Sequence, residues 1–404
     1  MRKLTYKKIT IALIALILLL FPVMTFVFMP DDYRAANSFS ENENRFRQKF
    51  PELSLSTVTD KSFMKGFEKY VSDRFFAREE LIALKNESDK LSGKTEINDV
   101  YIADGRMVES FPEYDAEKFE KNVNAVENFA KRHASVPVYF TLIPNAAEIY
   151  KDTLPPFSPS ASQVEFIGNA YAAVPSATGV DVYPELKSAA EAGNYIYYRT
   201  DHHWTTFGAY MAYNILSGIM GFTMPPSFDV ETAAEDFRGT LYSKTLDRSV
   251  SPDTIEYWHI PESDGGDPPT TLEILKYVEY GSYDSMYFRE YLARKDKYSS
   301  FLGGNDPVVK IKSELPDSEN GGKLLVIKDS YSHCLAPFLA KSFGEVTLLD
   351  MRYINIDYRE LVNVEDYDAV LFFYNVITFA EDTDIRKLNY AELTSEEKNT
   401  TERG

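Results

Sequence analysis

Two short segments hold the residue types that nucleophilic catalysis requires. Thr200-Asp-His-His-Trp-Thr205 sets an acid and a histidine two positions apart, and Val326-Ile-Lys-Asp-Ser-Tyr-Ser-His333 sets a serine where an apolar run ends. The chain has only five histidines, and three of them fall in these two segments. A serine hydroxyl is a poor nucleophile until a base takes its proton, and the base needs an acid to orient it. Asp201 can orient an imidazole two residues on if the chain there is extended or looped, and either His202 or His203 could be the base. A strand ending at Ile327, a turn at Asp329-Ser330 and a following helix would expose the serine at the carboxyl edge of a sheet, beside backbone N–H groups able to receive an oxyanion. The same residues also suit an ordinary helix cap. Asp201, His202, His203 and His333 could supply ligands to zinc, but adjacent histidines on a strand face opposite ways and no His-Glu-x-x-His or cysteine set accompanies them, so no metal is assigned. Cys334 reads as a small buried residue.

These segments need a scaffold, and the hydrophobic pattern supplies one. Apolar residues from Phe63 to Leu91 recur at roughly helical spacing, and Val100 to Val108 reads as a hairpin turned by Asp104-Gly105. An alternating rhythm follows: a helix from Ala116 to His133, a buried strand over 136–143 leaving through Pro144-Asn145, helices near 165–175 and 184–192, and a short strand over 180–183. Thr205 or Thr206 caps a helix running to Met220. Residues 222–305, dense in Pro, Asp, Ser and Tyr, read as an irregular insertion or cap. Strands resume at 308–311, 324–327, 346–349 and 369–374, with a helix over 332–343. The fold class predicted is α/β, a doubly wound and mostly parallel sheet.

The 404 residues carry a net charge of −19, and the first thirty contain Arg2, Lys3, Lys7 and Lys8 with no acid. So acidic a body repels phosphate backbones, which argues against nucleic acid as a partner. Ile9 to Met29 is an almost unbroken apolar run, long enough as a helix to span roughly 30 Å of hydrocarbon. With basic residues before it and Asp31-Asp32 after it, the expectation is a single-pass anchor with its N-terminus in the cytoplasm and the body outside; the alternative is a cleaved signal peptide, with a secreted body. The domain plan is therefore a cytoplasmic tail over 1–8, an anchor over 9–29, a stalk and juxtamembrane helix over 30–95, the α/β domain over 96–380 and a charged tail over 381–404.

Asp201-His-His-Trp204 resembles the signature of the bacterial DHHW protein family, and the arrangement is similar to the alginate O-acetylation proteins of the SGNH-hydrolase-like superfamily. Glu43-Asn-Arg45, Asp73-Arg-Phe-Phe-Ala-Arg78, Pro144-Asn145 with Tyr150, and Asp350-Met-Arg-Tyr353 agree with it. The resemblance spans about residues 40–380. It implies Ser330 as nucleophile, His203 as general base and Asp201 as its orienter, with His202, Trp204 and Asp329 supporting them. It also implies Asn375 as an oxyanion donor, and Arg352, Tyr353 and Asn145 as further oxyanion or substrate contacts. Lys328 stands where the family pattern carries Gly, a bulkier residue beside a tight turn.

What the resemblance implies is an O-acyltransferase, acetyl in the first instance, acting on an extracellular or cell-wall polysaccharide through an acyl-enzyme. It needs no cofactor of its own; an integral-membrane O-acyltransferase would pass the acyl group across the cytoplasmic membrane. The alternatives are an acetyl esterase using the same triad and an anchored polymer-binding scaffold. A histidine base carries the expectation of activity rising near its ordinary pKa of ~6.5 unless the site shifts it.

Overall fold

The computed structural model describes residues 2–27, 33, 38–156, 158–276, 279–315 and 322–392. The chain forms two compact units, one of residues 1–98 with 242–249 and one of residues 99–241 with 250–404. In the first, Arg2–Val27 is a helix. The side chains at 17, 18, 21, 22 and 26 and the whole of residues 28 and 29, all inside the expected anchor, lie outside the described set. Among the described residues no helix is long and apolar enough to cross a membrane. The periodic stretch expected as one juxtamembrane helix is two, Ser62–Asp73 and Arg78–Leu91, because Ala77 between them takes a left-handed φ of 52°. Two of the family-like segments meet here: Arg45 clasps Asp73 at 2.7 and 3.0 Å, and Glu43 pairs with Arg78.

The strands of the second unit are, in chain order, β1 (Val100–Ala103), β2 (Arg106–Glu109), β3 (Val138–Ile143), β4 (Thr178–Gly179), β5 (Asp229–Phe237), β6 (Asp253–His259), β7 (Thr270–Lys276), β8 (Glu279–Tyr283), β9 (Val308–Ser313), β10 (Lys323–Lys328), β11 (Glu345–Leu349) and β12 (Ala369–Asn375). Eight of them form one sheet in the order β8-β7-β9-β11-β10-β12-β3-β4. The pairs from β11 to β4 are parallel, and those from β8 to β11 are antiparallel. The sheet is thus mostly parallel, with an antiparallel flank.

Why the parallel strands occupy the middle is visible in their residues. Every residue of β12, Ala-Val-Leu-Phe-Phe-Tyr-Asn, is buried, as a strand covered on both faces must be. Alternate side chains enter separate cores. Leu324, Val326, Leu371 and Phe373 pack on one face with Ala209, Ala212, Tyr213 and Leu216 of the helix Thr206–Met220. Leu325, Ile327, Val370 and Phe372 pack on the other with Val126 and Phe129 of the helix Ala116–Arg132, capped by Asp115.

Three expectations are corrected. Residues 222–305 are not irregular throughout: they supply the hairpin β5–β6 and the two sheet strands β7 and β8. In β7 the alternation is plain, with Leu272 and Ile274 buried, but the surrounding Gly-Gly and Pro-Pro loops mask it. The strand expected at 180–183 is instead the two-residue β4, and the chain turns into the helix Tyr183–Glu191, with Pro184 in its first turn. The helix expected over 332–343 is a 3₁₀ turn, Ser330–Ser332, and one α turn, Ala336–Leu339. Of the charged tail, Asp384–Glu392 forms 3₁₀ helix broken by a kink at Asn389, and residues 393–404 lie outside the described set.

Phe372 is fully buried, with Phe129 and Phe140 edge-on to its ring at centroid distances of 5.2 and 6.3 Å. Phe372→Ala is expected to destabilise the protein by about 3–5 kcal/mol through the cavity it leaves, read as a lower urea midpoint with an unchanged m-value; a loss under about 1 kcal/mol would mean that this core closes up.

Candidate active site

At the carboxyl end of β10 the chain turns through Asp329 into the 3₁₀ turn that carries Ser330. Asp329 is fully buried; one carboxylate oxygen accepts Tyr331 N–H at 2.9 Å and the other accepts Asn375 N–H, at the end of β12, at 2.8 Å. Asp329 therefore joins the serine turn to the neighbouring strand end. Burial pushes its carboxyl pKa up, against these hydrogen bonds. The Ser330 N–H finds no partner among the described residues and is free to donate.

The other half is the loop between Tyr197 and Trp204, closed by Tyr198 N–H to His203 O (3.2 Å) and Thr205 N–H to Ile196 O (2.8 Å). Asp253, on β6, holds this loop by accepting Arg199 N–H (2.7 Å), Thr200 N–H (2.9 Å) and Thr200 Oγ1 (2.5 Å). Within it Asp201 Oδ1 accepts the His203 amide at 2.9 Å and lies 2.6 Å from His203 Nδ1, while Asp201 Oδ2 accepts Thr240 N–H (2.7 Å) and Thr240 Oγ1 (3.1 Å). His203 Nε2 lies 2.8 Å from Ser330 Oγ. Asp201, His203 and Ser330 thus form one hydrogen-bonded chain across 127 residues of sequence. The loops are also bound directly, Trp204 Nε1 donating to Tyr331 O at 3.0 Å and Tyr331 OH to His202 O.

The charges follow from this packing. Burial would raise the Asp201 carboxyl, but His202, His203 and its hydrogen bonds hold it well below the ordinary carboxylate range. Burial pushes the His203 imidazole down to about 4, with His202 adding to the shift and Asp201 opposing it. The imidazole is therefore neutral from weakly acidic pH upward, the site having shifted it below the ordinary ~6.5.

Of the two histidines left open by spacing, His203 reaches the serine. His202 points elsewhere, its Nδ1 2.6 Å from Thr240 Oγ1. The residues weighed as zinc ligands do not come together as a set of four: Asp201, His202 and His203 lie within reach of one ion, whereas His333 is engaged by Lys328 Nζ at 2.8 Å. Lys328 ends β10 without a left-handed φ, so the position makes no demand for glycine. Its buried side chain turns inward to His333 and to Asp350 at 3.2 Å, and burial lowers its pKa. Arg352 is committed to the same Asp350 through two bonds of 2.8 and 2.7 Å, and Tyr353 is half exposed. Asn145 and Asn375 line one cavity of about 60 Å³ with His202 and Tyr331; neither Arg352 nor Tyr353 lines it. Asn375 caps the helix Val376–Glu381 and donates from Nδ2 to Ile143 O at 3.2 Å, leaving one amide hydrogen. Asn145 caps the helix Ala146–Ile149 and donates to Glu109 O at 3.1 Å. Cys334 is buried and its thiol pushed up to about 12.

Sequence reasoning missed four residues. Tyr298 stacks on His203 with ring centroids 3.8 Å apart and planes at 13°, and its OH donates to Ser330 O at 3.1 Å. Thr240 and Asp253 hold the Asp201 loop, and Gly239 admits it: a Cβ there would lie 2.1 Å from Asp201 Oδ2. Tyr298, Gly239, Thr240 and Asp253 all fall within or beside the stretch read as an insertion, with no local signal of their role.

The sequence model of the family described as DHHW protein matches residues 99–349. No curated protein matches the chain by sequence. Among solved structures, a DHHW family protein from Eubacterium siraeum is similar at 25% identity and a TM-score of 0.61, covering 73% of this chain and 96% of that one. Bacillus cereus PatB1, solved with a sulfonyl adduct, is similar in fold at 18% identity and a TM-score of 0.58, over 72% of this chain and 99% of that one.

Two outcomes are expected by NMR. The His203 ring titrates with a midpoint near 4; a midpoint at or above 6.5 would show that the Asp201 charge, not burial, dominates. In Gly239→Ala the low-field Nδ1 proton of the Asp201–His203 bond disappears while the fold persists, and its survival would mean that the loop shifts to admit the methyl group.

Proposed function

The chain belongs to the DHHW protein family, and from that premise we propose that it is a serine-dependent O-acyltransferase, most simply an O-acetyltransferase, that modifies a polysaccharide outside the cytoplasmic membrane. The observation that carries this reading is the Ser330–His203–Asp201 chain, at 2.8 and 2.6 Å. A buried, oriented imidazole in contact with a serine at a sheet's carboxyl edge is the arrangement that nucleophilic acyl transfer needs.

Ser330 Oγ attacks the carbonyl of an acyl donor as His203 Nε2 takes its proton. The oxyanion is received by the Ser330 N–H, which has no partner among the described residues, with the remaining Asn375 amide hydrogen as a second donor. Asp201 steadies the imidazolium. The donor's leaving group departs with the proton from His203, leaving Ser330 acylated. A sugar hydroxyl then gives its proton to His203 and attacks the acyl carbonyl, and Ser330 leaves with that proton restored. Water in place of the sugar would make the same site an esterase. The apolar run over 9–29, with its basic flank, supports placing the catalytic unit outside the membrane, where an integral-membrane O-acyltransferase supplies the acyl group.

The test compares ester-linked acetate on the producer's surface polysaccharide in wild type and in a Ser330→Ala strain with matched protein levels. Less acetate in the variant is expected; more would identify an esterase, and no change would sink the acetyl-transfer reading. In purified protein, phenylmethylsulfonyl fluoride is expected to label wild type and not Ser330→Ala. Asp201→Asn is expected to slow p-nitrophenyl acetate turnover by about 10³–10⁴-fold with the fold intact.

A further inference from the structure

A second cavity, of about 300 Å³, lies in the same unit and shares no residue with the Ser330 site. That volume sits at the small end of ligand sites, roughly 300–1,000 Å³. A ladder of alternating charge runs through its lining residues Lys341, Asp267, His259 and Arg289, joined by Glu231. Lys341 Nζ lies 2.8 Å from Asp267 Oδ1, Asp267 Oδ2 lies 2.7 Å from His259 Nδ1, His259 Nε2 lies 3.2 Å from Glu231, and Glu231 takes both Arg289 nitrogens at 2.6 and 2.7 Å. Pro268 and Pro269 stiffen the adjoining wall, and the Asp284 carboxylate lines the cavity with no partner among the described residues.

One group in this ladder is incomplete. Lys341 is 4% exposed and its ammonium faces Asp267 Oδ1 at 2.8 Å, but among the described residues it has no second acceptor, so two of its three hydrogens lack one. A buried ammonium whose charge is paired but whose remaining donors line a cavity has hydrogen bonds still to give. The partner's chemistry follows from the neighbours. Every cation on the wall already faces a carboxylate, and the chain carries −19 overall, so an anion would meet Asp267 and Asp284 as well as a repulsive long-range field. A hydroxyl both accepts from a fixed N–H and donates to a carboxylate lone pair, and a ring of hydroxyls with apolar C–H faces suits paired charges beside proline.

We propose that this cavity binds a neutral sugar ring, holding a stretch of the acceptor polymer away from the reacting hydroxyl. The identity of that sugar as part of the acceptor rests on the acyltransfer reading; the binding itself does not. Lys341 and Asp284 supply the donor and acceptor, and the cavity fixes which segment of the polymer stays bound while Ser330 reacts.

The test is calorimetry on the full chain in a non-glycosidic detergent, with neutral tetrasaccharides of glucose, mannose, galactose and N-acetylglucosamine, and tetragalacturonate as the anionic comparison. At least one neutral tetrasaccharide is expected to bind, and Lys341→Met and Asp284→Asn are each expected to weaken it by at least tenfold, while p-nitrophenyl acetate turnover stays at the wild-type level. Asp284 is exposed, so its variant tests the site even if Lys341→Met fails to fold. No binding by wild type, equal binding by both variants, or tighter binding of the uronate overturns the proposal. Binding without ester turnover would remove the acyltransfer reading and leave the sugar site, and turnover without binding would do the reverse.

Discussion

The site depends on one buried charge. A carboxylate taken out of water is costly unless its lone pairs are filled, and Asp201 is 3% exposed. Four donors fill it: the His203 amide and Nδ1, and the Thr240 amide and hydroxyl. Each donor constrains something further. The two from His203 set its ring so that Nε2 faces Ser330. The two from Thr240 draw the chain after β5 against the loop, and the approach is close enough that only glycine fits at 239. The same contacts set the electrostatics: the two histidines and these hydrogen bonds keep the carboxylate ionised against its burial, while burial of His203 itself keeps the imidazole neutral.

The serine half is organised by a second buried carboxylate used differently. Asp329 accepts two backbone amides, one from its own turn and one from the end of β12, and so acts as a brace between parallel strands. Trp204 and Tyr331 then cross-link the halves by reciprocal side-chain-to-backbone bonds. With Tyr298 stacked on the imidazole and bonded to the Ser330 carbonyl, Ser330 and His203 are each held from two sides. A serine–histidine contact is short-lived between free loops; here three elements of the fold supply the order it needs.

Lys328 shows how a departure from a motif is absorbed. The turn begins one residue later, at Asp329, so the strand conformation at 328 accepts a side chain, and the lysine runs inward to His333 and Asp350. Arg352, read from sequence as a substrate contact, shares that Asp350. Those residues form a buried polar cluster beneath the serine turn, and their placement could not be read from spacing, because Asp350 and Arg352 follow a different strand.

Much of this was legible without coordinates. The parallel core strands announce themselves as unbroken apolar runs, the helix starting at Thr206 by its Thr205 cap, and the hairpin at 100–109 by Asp-Gly. Asp201, His203 and Ser330 stand out because histidine is scarce here and their neighbours are distinctive. What spacing left open was which histidine faces the serine, since the choice depends on Asp201 accepting from one ring and Thr240 from the other. The strands inside 222–305 escaped notice because turn-rich loops dilute a period-two pattern only five to nine residues long. Thr240, Asp253 and Tyr298 carry no local mark at all. Local sequence determines which residues are able to do chemistry, through residue type and short-range conformation; only tertiary packing decides which of them meet, because contacts across 127 residues are set by the closure of the sheet and by the need to satisfy every charge it buries.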